Sequence, residues 1–249
     1  LECKRLRFFF SSPPGCTSFS SADHFLSVTV PVGDRAVLPC SWRAVLEDLD
    51  SSSCHIQWRT IAAEIVFEQW GALKWQADEY QNRVNVPEDN LGSGDCSLLI
   101  TDVQHGDTGK YESFMMVEED QIKSRTRTRT WRKKVFLQAV SLLVTDYRSS
   151  ETRPPGKDLV LDLRTPRSDR VAFQGRNSSE WSVLWVRGDH DTQRLEKHPH
   201  QEQLTIKNLR HADQGTYQVL DQHGQTVSSV DLTVDGERRV WGSGGQGVW

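Results

Sequence analysis

One pattern occurs twice in this 249-residue chain and constrains its fold more than any other feature. Leu98-x-Ile100-x-x-Val103-x-x-x-Asp107-x-Gly109-x-Tyr111 returns as Leu204-x-Ile206-x-x-Leu209-x-x-x-Asp213-x-Gly215-x-Tyr217. In each copy two apolar residues two positions apart have the period of a strand with one buried face. The Asp and Gly then mark a turn into a second strand, which carries the Tyr. The surrounding sequence consists of short β-rich runs separated by turn residues, with almost no sustained helical period. It predicts an all-β protein of sandwich or barrel type.

The first group of runs is Phe25 to Val32, Ala36 to Trp42, His55 to Thr60, Glu64 to Trp70, Arg83 to Val86, Ser97 to Val103, Lys110 to Val117 and Val135 to Thr145. Arg148 to Gly156, with Ser149, Ser150 and the Pro154-Pro155-Gly156 triplet, reads as a linker. The order then repeats through Leu159 to Arg164, an aromatic strand Trp181 to Arg187, Gln203 to Leu209, Gly215 to Leu220 and Thr226 to Val234. The expected organisation is a poorly structured leader over 1–23, one sandwich over 24–147, a second over 148–235 and a flexible glycine-rich tail over 236–249. The apolar part of the leader, around Phe8 to Phe10, is too short for the core of a secretory signal.

The doubled motif resembles the strand E to strand F signature of the immunoglobulin superfamily, including the corner tyrosine whose hydroxyl bonds back to upstream backbone. The resemblance implies two immunoglobulin-like β-sandwiches in tandem. The long interval from Cys40 to the position two past Tyr111 implies a variable-type first domain. The shorter interval from Leu163 to Val219 implies a constant- or intermediate-type second domain. This order is the ectodomain plan of many leukocyte receptors and ligands of the B7, butyrophilin and CD2-like kinds. It implies an all-extracellular location, on the external side of the plasma membrane or secreted. The resemblance also implies an ion pair between Arg83 and Asp107 beneath the first domain.

The cysteines depart from the family pattern. There are five, Cys3, Cys16, Cys40, Cys54 and Cys96, all in the first 96 residues. The family's inter-sheet bridge needs a partner for Cys40 at position 113, which is Ser113, and the second domain has Leu163 and Val219 at the two sites. Cys54 shares a face with Ile56 and Trp58, and Cys96 shares one with Leu98 and Ile100. Since strands C and E begin at one end of a variable-type sandwich in opposite sheets, a relocated Cys54–Cys96 bridge is expected, the alternative being two buried thiols. Cys40 would then be a lone core thiol. Cys3 and Cys16 fall in the leader, where they bridge locally or link chains.

Several residue groups are candidates for binding. Between strands F and G, Glu118-Glu119-Asp120 is followed by Lys123, Arg125, Arg127, Arg129, Trp131, Arg132, Lys133 and Lys134. In a variable-type domain this hairpin lies at the recognition tip. Its cations suit an acidic protein face or a sulfated glycan, and the competing reading is a solvated ribbon whose acidic and basic ends pair. Trp70, Trp75 and Phe67 near strand C′ are candidate aromatic contacts, weighed against core packing. Arg187-Gly188-Asp189 resembles the integrin-recognition tripeptide, against the reading of an ordinary turn. Asn177-Ser178-Ser179 is an N-glycosylation acceptor in an expected loop.

Other classes find little support. Thirty basic and 34 acidic residues leave a net charge of −4, and one basic run with a single Trp lacks a stacking platform for nucleic acid. No stretch approaches the ~20 apolar residues of a membrane helix, so an anchor is not expected within these residues. There is no nucleophile elbow or phosphate loop, and His198 and His200 flank Pro199 without a second pair at ligand spacing. No catalytic residue, metal or cofactor is therefore expected. The sequence points to a recognition module for another cell-surface or extracellular protein, in immune signalling or cell–cell adhesion. The alternative is a secreted effector that binds an acidic glycan through the basic hairpin, and self-association through the variable-type face is a third expectation.

Overall fold

The computed structural model describes residues 26–46, 54–121 and 129–236, without the side chains of 118–121 and 129–131. In chain order the first group of strands is β1 (Leu26–Pro31), β2 (Ala36–Leu38), β3 (His55–Thr60), β4 (Ile65–Trp70), β5 (Leu73–Gln76), β6 (Val84–Asn85), β7 (Leu98–Ile100), β8 (Gly109–Gln121) and β9 (Arg129–Thr145). They form two sheets, one ordered β1-β9-β8-β3-β4-β5 and the other β2-β7-β6. Alternation along each strand sends Ile56, Trp58, Tyr111 and Met115 of the larger sheet into a shared core with Leu38, Leu98 and Ile100 of the smaller one. One short helix, α1 (Glu88–Ser93), links β6 to β7, and Gly94 ends it in a left-handed conformation.

The second group is β10 (Tyr147–Arg153), β11 (Leu159–Asp162), β12 (Ser168–Gly175), β13 (Ser182–Val186), β14 (Leu195–Lys197), β15 (Gln203–Ile206), β16 (Gly215–Asp221) and β17 (Thr226–Val234). Its sheets run β10-β17-β16-β12-β13 and β11-β15-β14. Both groups therefore have the immunoglobulin-like arrangement. In each, a parallel first strand lies beside the last, β1 on β9 and β10 on β17. The first sandwich has the additional strand β5 beyond β4, the variable-type feature.

The repeated motif builds the same corner twice. Tight helical turns at His105–Asp107 and His211–Asp213 lead into β8 and β16. Tyr111 donates its hydroxyl proton to the Asp107 carbonyl at 2.6 Å, and Tyr217 donates to the Asp213 carbonyl at 2.6 Å. Arg83 grips the Asp107 carboxylate with both terminal nitrogens, at 2.7 and 3.0 Å, as the family resemblance implies. The second sandwich carries an equivalent pair that the sequence reading missed, Arg194 to Asp213 at 2.5 Å.

The bridge differs from the expected one. Cys40 is bonded to Cys96, with Cα atoms 4.9 Å apart, and Cys54 is buried outside this bridge. Antiparallel pairing of Leu38 with Leu98, continued two residues, sets Cys40 directly opposite Cys96 in one sheet, and Ser41 opposite Asp95 confirms the register. Neighbouring strands bring Cβ atoms to bridging distance, whereas Cys54 belongs to the opposite sheet across the core. Trp58 packs in the core and donates its indole N–H to the Cys96 carbonyl at 2.9 Å. Ser113 is buried, and its hydroxyl donates to the Gln138 carbonyl at 3.3 Å. Cys3 and Cys16 lie outside the described residues.

Two further corrections concern strands. Most of the stretch read as a linker is β10, whose exposed Arg, Ser and Thr side chains give an edge strand a loop-like composition. Only Asp146 separates β9 from β10. The strand equivalent to β3 in the second sandwich is β12, not the aromatic run. The latter is the neighbouring edge strand β13, so Trp185 stands beside Val171 rather than in the place of Trp58.

The junction is closed by polar contacts. Arg164 pairs with Asp34 at 2.6 Å, donates to the Val32 carbonyl at 3.2 Å and lies 4.4 Å over the Tyr147 ring. Gly33, at φ +83°, lets the first sandwich approach closely: a Cβ there would sit 2.9 Å from the Arg164 carbonyl oxygen.

Candidate functional site

The outer face of the larger sheet in the first sandwich gathers the candidate recognition residues. Since Trp58 and Ile56 point inward, the alternate residues His55, Gln57 and Arg59 of β3 point outward. Register then sets Phe114 beside Gln57 and Glu112 beside Arg59 on β8, Trp70 beside His55 on β4, and Phe136 beside Phe114 on β9. On β5, Leu73 pairs with Trp70 and Trp75 with Glu68. Four large apolar side chains stay exposed here: Trp70 at 47%, Leu73 at 72%, Trp75 at 51% and Phe136 at 49%.

Cations and acids are interleaved with the rings. Arg59 donates to Glu112 at 2.7 Å, and its guanidinium lies 4.3 Å from the centre of the Phe114 ring. Lys134 covers the same ring at 4.2 Å and donates to Gln57 Oε1 at 2.6 Å. Phe114 meets Phe136 edge to face at 5.6 Å. Toward β4 and β5, His55 stacks on Trp70 with ring centres 5.6 Å apart and shares a 2.6 Å hydrogen bond with Glu68, while Arg132 lies 4.3 Å over the other ring system of the pair, Trp70. Partial burial, and after it the nearby Arg59 charge, push the Lys134 ammonium below the usual lysine range. Such stacking fixes flexible cations over ring faces and leaves an ordered amphipathic surface.

The structure joins some sequence candidates and separates others. Trp70, Trp75 and Arg132 share this face, whereas Phe67 is fully buried in the core. Arg125 and Arg127 lie outside the described residues. Arg129 and Trp131 are on β9, paired through backbone with Gln121 and Glu119 of β8. The sequence reading missed Phe114, Phe136, Leu73 and His55. The alternation Arg132, Lys134, Phe136 was a usable signal for one of them, since these three must share a strand face.

The tripeptide Arg187-Gly188-Asp189 follows β13 in a turn with Gly188 at φ +99°. Arg187 donates to the Ser168 carbonyl at 2.6 Å and to Glu202 at 2.7 Å, and the Asp189 carboxylate accepts the Val186 N–H at 2.9 Å. Arg187 and Asp189 both stay exposed while making these bonds. Among the described residues, no helix is long and apolar enough to cross a membrane.

No protein-family model matches the chain, and no curated protein matches it. Among solved structures it is similar to the human B7-H4 IgV-like domain, at 19% identity over 48% of this chain and 92% of that one, with a TM-score of 0.36. The strand order and the two tyrosine corners define the class independently: an all-β protein with two immunoglobulin-like sandwiches, the first of variable type.

Proposed function

We propose that the chain is an extracellular recognition module, displayed at a cell surface or secreted, whose first sandwich binds a protein partner in immune signalling or cell–cell adhesion. The observation that carries this reading is the cluster of Phe136, Trp70, Leu73 and Trp75, about half exposed or more, on one face of one sheet. Monomeric proteins rarely leave so many large apolar groups together on one strand face without a use for them. Aromatic anchors inside a rim of Arg and Lys have the composition of energetic centres in protein interfaces. The Cys40–Cys96 bridge supports an oxidising compartment. The second sandwich serves as the spacer.

The test uses the multimerised chain and whole leukocytes, with binding read by cytometry. Phe136→Asp and Trp75→Ala are expected to reduce binding by about tenfold or more each, as loss of an interface anchor does. Trypsin treatment of the cells should abolish it. Loss after heparin-lyase treatment instead would establish the acidic-glycan alternative through the basic hairpin. Full binding by both variants would move the contact off this face, and concentration-dependent dimerisation in sedimentation, lost in Phe136→Asp, would make the partner a second copy.

A further inference from the structure

The turn joining β12 to β13 contains Gly175-Arg176-Asn177-Ser178-Ser179. The Ser178 N–H donates to the Gly175 carbonyl at 2.9 Å, closing a four-residue turn with Asn177 at its third position. Ser178 Oγ then accepts the Glu180 N–H at 3.1 Å and holds the chain as it leaves the turn. Residues 176 to 180 are all exposed. An Asn-x-Ser acceptor is thus presented at the tip of an ordered turn, where a transferase can reach the amide.

The surroundings of this asparagine are built for more than access. A cavity of about 260 Å³ opens beside it, and Arg176 and Ser178, the two residues flanking Asn177, both line it. Gln174, Thr216 and Asp231 add an amide, a hydroxyl and a carboxylate to the wall, with the Thr216 hydroxyl donating to Asp231 at 2.7 Å. The volume is below that of a drug-sized pocket, and the lining offers donors and acceptors to hydroxyl and acetamido groups. An aromatic residue lies one strand beyond the Gln174 wall of the cavity, outside its lining. The pairing of Ala172 with Val183 and Phe173 with Ser182, continued one residue, sets Trp181 opposite Gln174, and Trp181 is 43% exposed.

The same edge has an unmet need. β13 is the outermost strand of its sheet, with Val183 and Val186 also exposed, and an apolar edge strand is a template for unwanted pairing with other chains. A bulky polar cover at this position would remove that hazard. We propose that Asn177 carries an N-linked glycan whose first N-acetylglucosamine folds back into the polar cleft beside Trp181 and shields the β13 edge. The proposal rests on the extracellular part of the reading above and is independent of the recognition face.

The experiment uses the full chain secreted from animal cells. Peptide mapping after treatment with a glycan-releasing amidase should find Asn177 converted to Asp, and an unmodified Asn177 in a chain whose Cys40–Cys96 bridge is intact would overturn the proposal while leaving the extracellular reading standing. Seating is read from the rate of glycan release from the folded protein. Trp181→Ala and Thr216→Val are each expected to speed release about three- to tenfold, the value of one aromatic or polar contact. Melting temperatures would establish that both variants are folded. Equal release rates in all three proteins would leave a glycan that does not occupy the cleft. Binding of free diacetylchitobiose to the fully glycosylated chain would likewise overturn the proposal, because it would show the cleft open to sugars from another source.

Discussion

The two sandwiches use one corner and two different means of holding their sheets. In the first, Cys40–Cys96 ties adjacent strands of the smaller sheet, Trp58 fills the core, and Arg83–Asp107 is almost entirely buried, at 8% and 5% side-chain exposure. In the second, Leu163, Val171 and Val219 pack where a bridge and a Trp would otherwise stand, and the equivalent pair Arg194–Asp213 is 37% and 16% exposed. The tyrosine corner with its Arg–Asp pair is the shared element, while the burial of that pair and the filling of the core vary. The fold therefore depends on the strand-turn-strand geometry that the motif encodes, while covalent or apolar filling of the core are interchangeable solutions.

The buried ion pair gives the largest contrast. Arg83→Ala leaves the Asp107 carboxylate buried without its partner and is expected to cost about 3–5 kcal/mol. Arg194→Ala, at a site open to water, should cost about 1 kcal/mol or less. Denaturant unfolding of the two variants checks this, and equal losses would end the distinction between the corners. Replacing Cys40 and Cys96 together by Ser comes next, at about 2–4 kcal/mol in the chain-entropy picture. Hydrogen exchange should place that loss in β2, β6 and β7, with the second sandwich unchanged; protection lost first in β11 and β15 would contradict it.

The motif glycines differ in the opposite sense. A Cβ on Gly215, at φ +156°, would overlap the Gln174 carbonyl oxygen, whereas nothing lies within 4 Å of one on Gly109. Gly215→Ala is expected to destabilise by about 1–3 kcal/mol through strain, and Gly109→Ala by less. Comparable melting temperatures for the two would show that the second corner relaxes freely.

Alkaline pH makes the smallest and most selective contrast. Burial, as the dominant cause, raises the hydroxyls of Tyr80 and Tyr111 in the first sandwich and of Tyr217 in the second above the usual tyrosine value of 10.0. Tyr80 and Tyr111 also share a 3.0 Å hydrogen bond. The folded state keeps these protons more tightly than the unfolded chain. Their stabilising contribution is therefore complete below pH 10.0 and declines as pH rises through the raised values. With two such hydroxyls against one, the first sandwich should lose stability more steeply above that pH, and a steeper loss in the second would refute the account.

Much of the fold could be read from residues. The doubled motif identified both corners, the alternation of β2, β3 and β7 placed their inward residues correctly, and Asp107 and Arg83 were paired from the resemblance. The failures have two causes, composition and register. β10 carries exposed Arg, Ser and Thr, and β12 opens on Ser168, Asp169 and Arg170, so the composition of both resembles a loop. Alternation along a strand tells which cysteines face the core but does not pair them. Which of them are opposed across a single ladder depends on register, and Leu38 opposite Leu98 decides it. The recognition face was half legible for a related reason. Trp70 and Trp75 stand out as aromatic residues near strand C′, but their union with Phe136 and Arg132 requires β9 to lie beside β8 and β8 beside β3.

The sequence by itself determined that this protein is two immunoglobulin-like sandwiches, because local alternation and a turn with fixed chemistry are properties of short segments. Only the tertiary structure decided that Cys40 closes on Cys96, that Arg187 reaches the Ser168 carbonyl and Glu202, and that cations of β3 and β9 lie over rings of β8 and β4. Each of those outcomes depends on which strands become neighbours and in what register, and those are properties of the assembled sheets.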